Sequence, residues 1–247
     1  MSGEYRRLSV IIPMFNEEDT IAQVLDAVGR VDLEAIEKEV VVVDDGSTDR
    51  SPEIVAEYAG RPDSAVKLVA AGGHRGKGAA IRAGLEHVTG EIVLIQDADL
   101  EYDPEDYPAL LAPILAGQAL VVYGSRFHRP VANMAWPNRI INWMLARLAN
   151  LLYGTRLTDE ATCYKVFDTQ VLKSLRVRCV RFEFCPEVTA RLARAGYRIH
   201  EVPISYQPRT AAQGKKIRWT DGVSAIWTLV KYRFVRLTTD DRPEAQR

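Results

Sequence analysis

Five carboxylates stand directly behind two apolar runs: Asp44 and Asp45 after Val40–Val43, and Asp97, Asp99 and Glu101 after Ile92–Gln96. Like charges this close raise one another's pKa and cost energy unless a cation joins them. Hard oxygen ligands on a partly open site suit Mg²⁺ or Mn²⁺, ions that also take up substrate phosphate oxygens. The Asp97-Ala98-Asp99 spacing behind a buried strand therefore points to metal–phosphate chemistry, whereas Asp49 and Asp103 read as caps of the helices that follow. The run Gly72–Gly78 (GGHRGKG) is not a P-loop, because that motif needs Gly at 71 and Ser or Thr at 78, where the chain has Ala71 and Gly78. No Gly-x-Gly-x-x-Gly follows the first strand either, which argues against a dinucleotide dehydrogenase. The run still brings backbone N–H groups, His74, Arg75 and Lys77 to a helix start, where an anion can sit; a flexible connector is the alternative.

The elements behind these residues are legible from hydrophobic periodicity. Leu8–Pro13, Val40–Val43, Lys67–Ala70, Ile92–Gln96 and Leu120–Tyr123 read as short strands. Helical patterns lie between them at Glu18–Val28, from Ser51-Pro52-Glu53 with Ser51 as cap, at Ala79–Val88, and from Asp103-Pro104-Glu105. Strand–helix alternation with all-apolar strands predicts an α/β fold with a mostly parallel sheet covered on both faces. Ligands of such sheets bind outside the carboxyl ends of the strands. That rule puts Pro13–Glu17, Asp44–Asp49, Asp97–Glu101 and Gly124–Arg126 on one rim. Further on, Asn138–Tyr153 is an amphipathic helix with Ile141, Met144, Leu145, Leu148 and Leu152 on one face. A strand at Cys163–Phe167, a helix near Pro186–Ala195, a strand near Arg198–Ile204 and a basic, aromatic helix over Trp219–Leu237 complete the pattern.

With 247 residues, 47% apolar and 26% charged, the chain is in the ordinary globular range, and disordered, collagen-like and disulfide-scaffold readings drop out. The net charge of −1 hides an asymmetry: residues 1–120 hold 10 Lys and Arg against 23 Asp and Glu, a net −13, and the remainder is +12. An acidic half joined to a basic one suggests a place for a cation and a place for phosphate or an anionic surface. Three cysteines (Cys163, Cys179, Cys185) without paired spacing read as free thiols. Met1 to Ser9 lack an apolar signal core, and no run reaches the roughly 18–20 apolar residues of a membrane span. The expected location is the cytoplasm. Trp219, Val223, Ile226, Trp227, Val230 and Phe234 share a helical face flanked by Lys215, Lys216, Arg218, Lys231, Arg233 and Arg236, which suits a helix lying among anionic headgroups; packing on the domain or on a second copy is the other reading.

The motifs Val10–Glu17 (VIIPMFNE), Val42–Asp49 (VVDDGSTD), Gly72–Gly84 (GGHRGKGAAIRAG) and Asp97–Leu100 (DADL) together resemble the inverting glycosyltransferases of family 2, with the GT-A fold. Tyr123–Phe127 (YGSRF), Thr158–Phe167 (TDEATCYKVF), Tyr197–Tyr206 (YRIHEVPISY) and the Arg209…Lys215-Lys216 loop resemble the polyprenyl-phosphate sugar synthases, which include the dolichol-phosphate mannose synthases. The resemblance runs from about Leu8 to Leu237. It implies one GT-A domain over 1–237, with a nucleotide-sugar half (1–123), an acceptor half (124–237) and a polar tail (238–247). It also implies that Pro13, Phe15, Glu17, Val43 and Asp45 line the nucleoside pocket. Asp97, Ala98 and Asp99 would hold the diphosphate through Mg²⁺ or Mn²⁺, with Glu101 as a further ligand. Arg209 and Lys215 would close over the nucleotide, and Arg126, Thr162 and Arg139 would take the acceptor phosphate. The mannose synthases commonly carry Gln at the position of Glu101, Tyr at that of Phe15, and Ser-Gly-Phe-Arg where this chain reads Thr162-Cys163-Tyr164-Lys165, so the donor sugar stays open between GDP-mannose and a UDP-hexose.

The residues agree with a phosphate acceptor. A hydroxyl acceptor needs a general base poised near the working pH. A phosphate monoester, with a second pKa around 6, is already a dianion and needs none. It does need cations, and the second half offers Arg126, Arg139, Lys165 and Arg209, with Arg176, Arg178, Arg191 and Arg194 read as surface charges. The expectation is a peripheral enzyme on the cytoplasmic face of a membrane. It would take a nucleotide diphosphate sugar and a polyprenyl or dolichyl phosphate, with no nucleic-acid partner and room for a membrane-anchored partner or a homo-oligomer. A hydroxyl acceptor with Glu160 or Asp159 as base keeps the same donor site, and a non-catalytic nucleotide-sugar binder would not need the Asp97/Asp99 pair. On this reading Asp99→Ala removes a metal ligand and abolishes transfer from a labelled nucleotide-sugar; undiminished transfer would refute the metal site.

Overall fold

The computed structural model describes residues 5–128, 134–209 and 219–235. The β-branched runs form seven strands: β1 (Arg7–Met14), β2 (Glu37–Asp44), β3 (Val66–Ala70), β4 (Ile92–Ile95), β5 (Val121–Ser125), β6 (Lys165–Asp168) and β7 (His200–Pro203). They make one sheet in the order β3-β2-β1-β4-β6-β5-β7. Only β6 runs against its neighbours; β1 pairs in parallel with β2 and β4, β2 with β3, and β5 with β7. The central strands are buried on both faces, with Leu8 to Ile12, Val40 to Val43 and Ile92 to Ile95 all inside the core, as a helix-covered parallel sheet requires. β3 departs from that expectation. It is an edge strand, and its Lys67, Leu68 and Ala70 are exposed.

The helices are α1 (Ile21–Arg30), α2 (Ser51–Ala59), α3 (Lys77–Leu85), α4 (Tyr107–Leu115), α5 (Trp136–Tyr153), α6 (Thr169–Ser174), α7 (Phe184–Arg194) and α8 (Trp219–Phe234). α1 buries Ile21, Val24, Leu25 and Val28, the stripe its spacing predicts. α3 lies hard against the sheet at Gly84, where a Cβ would come within 2.8 Å of an Ile11 methyl and 2.9 Å of a Val43 methyl. That close approach carries the start of α3, and Lys77 with it, over the rim. Asp103 caps the 3₁₀ turn Pro104–Asp106 by accepting from Glu105 N–H, as expected. Ser51 does not cap α2. Its hydroxyl accepts from Glu17 N–H, and Asp49 accepts from the N–H groups of Ser51 and Glu18, so these side chains tie two rim loops together.

Strand order also corrects the grouping of the five carboxylates. β1 lies between β2 and β4, so Asp44 and Asp45 are separated from Asp97, Asp99 and Glu101 by two strand spacings, about 10 Å. The rim opens at β1, from which the chain runs outward through β2 to β3 and then crosses back by α3 to β4 on the other side, the switch point at which open α/β sheets bind ligands.

α5 and α8 form a small core of their own from Leu145, Ala149, Ala225 and Leu229. α8 is fastened to α7 by charge. Arg191 is buried rather than a surface cation: its Nε donates to Glu187 at 2.7 Å and its guanidinium lies over the Tyr232 ring, while Arg194 donates to the carbonyls of Tyr232 and Val235. Glu187 also accepts from the N–H groups of Arg178 and Cys179. Removing Arg191 leaves a buried carboxylate short of its cation, so Arg191→Ala should cost about 3 kcal/mol in urea unfolding. A loss below about 1 kcal/mol would show the pair to be solvated like an ordinary surface bridge.

Candidate active site

Two zipped loops make the β1–β2 side of the rim. Asn16 has a left-handed backbone (φ 49°), accepts from Thr48 N–H at 2.8 Å and donates its own N–H to Ser47 Oγ. Phe15 is thereby turned to stack on His74, ring centroids 3.9 Å apart. Pro13 and Val43 sit opposite one another at the ends of β1 and β2, and Val43 is fully buried. Asp45 is buried and accepts from the N–H groups of Arg75 (2.9 Å) and Gly76 (2.7 Å), with His74 Nδ1 at 3.0 Å. As folded, Asp45 therefore anchors the Gly72–Gly78 loop. The loop is held by these bonds, and the residue it delivers is Lys77, whose ammonium pairs with Asp97 and donates to Cys163 Sγ at 3.2 Å.

The Asp97-Ala98-Asp99 turn is braced from beneath. Gln96 Oε1 accepts from both Tyr107 and Tyr164 hydroxyls, and its amide donates to Asp97 O; Ala98 O accepts from Thr20 Oγ1 at 2.9 Å. Burial, then the neighbouring charges of Asp97 and Glu101, push the Asp99 carboxyl up to about 7. Glu101 is engaged by the segment after β7: Tyr206 hydroxyl donates to Oε2 (3.0 Å) and Arg209 N–H to Oε1 (2.6 Å). The Arg209 guanidinium donates to Glu17 Oε2 at 3.1 Å and stands 3.8 Å from Asp99 Oδ2, a cation inside the acidic rim.

Among the described residues no three His, Cys, Asp or Glu side chains converge as a metal holder, so the expected set of Asp97, Asp99 and Glu101 is not assembled by the protein alone. Asp97 is taken by Lys77 and Glu101 by Tyr206 and Arg209. Asp99 remains as the carboxylate under the greatest electrostatic pressure. A divalent ion held there with phosphate oxygens fits that donor set. Lys215 lies outside the described residues.

On the other flank, Arg126 follows β5 and is 7% exposed. Its Nε and Nη2 form a two-pronged pair with Asp159 at 2.6 and 2.7 Å, and the guanidinium lies 4.9 Å from the Tyr206 ring centre. Burial alone would lower its pKa, but the Asp159 carboxylate outweighs it and drives Arg126 well above its ordinary value. Arg139 is exposed at the start of α5. Thr162 is fully buried with no hydrogen-bond partner for its hydroxyl, so as folded it is not presented to an incoming phosphate. Lys165 is no acceptor cation either. Its ammonium is buried, donating to the carbonyls of Glu160 and Thr162 at 2.8 Å over the Tyr123 ring. Glu160 is buried, its Oε1 accepting from Thr189 hydroxyl and its Oε2 without a partner. Burial raises its pKa, opposed by Lys165. Sequence reasoning missed Thr20, Gln96, Tyr206 and also Tyr102, whose hydroxyl accepts from Cys163 N–H at 3.0 Å. They are ordinary residue types in ordinary spacing, and only their convergence beneath the rim marks them.

The match to known proteins follows this geometry. Residues 9–176 match the model of glycosyl transferase family 2, and the chain belongs to that family. It is 32% identical over 209 residues to an undecaprenyl-phosphate 4-deoxy-4-formamido-L-arabinose transferase of Edwardsiella ictaluri, covering 84% of this chain and 62% of that protein. It is 26% identical over 203 residues to a dodecaprenyl-phosphate galacturonate synthase of Rhizobium johnstonii, covering 82% and 59%. The chain thus spans about three fifths of the length of these relatives. Among solved structures, glucosyl-3-phosphoglycerate synthase from Mycobacterium tuberculosis in complex with Mn²⁺, UDP and glucosyl-3-phosphoglycerate superposes with a TM-score of 0.69 at 21% identity, over 94% of this chain and 82% of that one. The α/β sheet is that of the GT-A glycosyltransferases.

The raised pKa of Glu160 has a readable consequence. A carboxyl that holds its proton more tightly when folded than when unfolded stabilises the fold at low pH and loses that contribution as pH rises. Glu160→Gln should therefore raise the melting temperature at pH 8, with the gain shrinking toward pH 5. A gain independent of pH, or a loss at pH 8, would refute this.

Proposed function

We propose that this protein moves a hexose from a nucleotide diphosphate sugar, GDP-mannose or a UDP-hexose, to a polyprenyl or dolichyl monophosphate, with inversion at the anomeric carbon. The observation that carries the reading is the state of the two acceptor-side carboxylates. Asp159 is locked to Arg126 by two hydrogen bonds, and Glu160 is fully buried with its Oε1 taken by the Thr189 hydroxyl, out of reach of an incoming acceptor. Neither is placed to take a proton from a hydroxyl, and a phosphate dianion asks for no base.

In this reading residues 1–123 serve the donor. Phe15 and His74 offer a flat surface to a nucleobase above the strand ends at Pro13 and Val43, Glu17 offers a carboxylate once Arg209 swings onto the ligand, and Asp45 serves through the loop it anchors. Asp99, beside Asp97 and Ala98, holds Mg²⁺ or Mn²⁺ with the diphosphate. When bound, the ion offsets charge growing on the departing nucleoside diphosphate. Residues from 124 on serve the acceptor. Arg126 keeps Nη1 outside its pair with Asp159, and Arg139 stands on the exposed start of α5. Around Arg139, Trp136, Ile140 and Trp143 are exposed, and Val223, Trp227 and Phe234 are exposed on α8 with Lys231 and Arg233. Aromatic and basic side chains in this arrangement suit a helix pair seated in anionic headgroups, which would bring a lipid phosphate to Arg126 from the membrane side. Among the described residues no helix is long and apolar enough to cross a membrane. Peripheral attachment on the cytoplasmic face, with or without a membrane-anchored partner or a second copy, belongs to the same reading.

The test is transfer of label from GDP-mannose, UDP-glucose or a UDP-N-acetylhexosamine to undecaprenyl or dolichyl phosphate in the presence of Mg²⁺ or Mn²⁺. Organic-extractable label with one donor is expected, and none with any donor would overturn the reading. Glu160→Gln should keep transfer within about threefold of the unmodified protein, whereas loss of a true general base costs about 10²-fold or more. A loss of that size would favour the hydroxyl acceptor.

A further inference from the structure

Neither the donor-metal nor the acceptor reading gives Lys77 a role. Its ammonium meets Asp97 Oδ1 and, at 3.2 Å, Cys163 Sγ, and both members of the Lys77–Asp97 pair are about one-fifth exposed, so the pair sits inside the site and is not sealed from it. The first turn of α3, which carries it, is pinned from two sides. Asp45 takes the N–H groups of Arg75 and Gly76, and the N–H groups of Gly78 and Ala79 donate to Arg181 O and Val180 O at 2.9 Å. A Cβ on Gly76 or Gly78 would come within 2.8 Å of Val180 O or Arg181 O, so the loop needs these glycines to pass so close to the 178–182 segment. Such a clamp leaves Lys77 little freedom to point elsewhere.

From this we infer that Lys77 is a positioning residue that withdraws Asp97 from divalent-ion binding, so that Asp99 alone takes the ion and the ion enters together with the nucleotide diphosphate. Two ionised carboxylates in a D-x-D turn would capture a bare hard cation. A fixed ammonium on the first of them cancels one charge and repels the incoming ion. The phosphates of a donor restore the missing negative charge and the missing oxygen ligands at once. The inference rests on the donor-site reading for its metal, but it needs no acceptor lipid.

The experiment is titration of Mn²⁺, followed by the electron paramagnetic resonance signal of the free ion, with no nucleotide present. Lys77→Met frees Asp97 and should bind Mn²⁺ about tenfold more tightly than the unmodified protein, equivalent to 1.4 kcal/mol, while Lys77→Arg should not. Affinity unchanged or weakened in a folded Lys77→Met would overturn the inference. Should that variant fail to fold, Lys77→Met combined with Asp97→Asn removes the pair without leaving a net charge. It should bind Mn²⁺ within about twofold of the unmodified protein, and a tenfold loss would show that Asp97 is a ligand after all. Failure of lipid glycosylation leaves these outcomes readable, because the titration contains neither donor sugar nor lipid.

Discussion

Carboxylates crowded at the carboxyl ends of β1, β2 and β4 stay ionised in a folded protein only where a cation or a set of N–H groups meets each of them. That requirement organises the rim. Asp45 is met by the N–H groups of Arg75 and Gly76 and so fixes the glycine loop; Asp97 is met by Lys77 from the helix that loop begins. Glu17 is met by Arg209 and Glu101 by Tyr206 and the Arg209 N–H, so the segment after β7 is drawn across the site from the far edge of the sheet. Burial and the charges of Asp97 and Glu101 hold the Asp99 proton to about 7, opposed by Arg209 at 3.8 Å and by the Glu101 N–H. Five carboxylates share two cations, Lys77 and Arg209, and N–H and hydroxyl groups meet the rest, with Asp99 the least compensated.

The same accounting revises the charge asymmetry of the two halves. The acidic first half does carry the rim, though Asp49 and Asp103 act on neighbouring N–H groups and Glu39 is buried, bonded to Ser9 and to the exposed Lys67. The basic second half is less of an exposed surface than its composition suggests. Arg126, Lys165 and Arg191 are all inside, each matched by a carboxylate or carbonyls and each lying over an aromatic ring. Among the described residues, Arg139 and Arg147 on α5 and Lys231 and Arg233 on α8 are exposed beside the exposed tryptophans, and the other exposed cations of this half are spread over the loops and α6.

The sheet and its rim are legible in the sequence because a parallel strand buried on both faces has to be a short apolar run, and its carboxyl end has to be followed by polar turn residues. The buried stripe of α1 and the cap at Asp103 follow equally local rules. Pairing was not legible. Ser51 looks like a helix cap because Ser-Pro-Glu is a cap sequence, yet its hydroxyl is claimed by Glu17, 34 residues away. Lys165 looks like an acceptor cation because it lies in the basic half, yet β6 is buried on both faces and holds its ammonium over Tyr123.

The sequence by itself determined the fold class, the family resemblance, the rim on which the chemistry lies and the acidic character of its centre, since these depend on periodicity and on residue types within a few positions of one another. Only the tertiary structure decided which carboxylate belongs to which cation. It placed β1 between β2 and β4, separating Asp45 from Asp97; it brought Arg209 to Glu17 across 192 residues and locked Arg126 to Asp159. Those choices depend on strand order and on the packing of α3 against the sheet at Gly84, and a charge acts over a few ångströms of space whatever its distance along the chain.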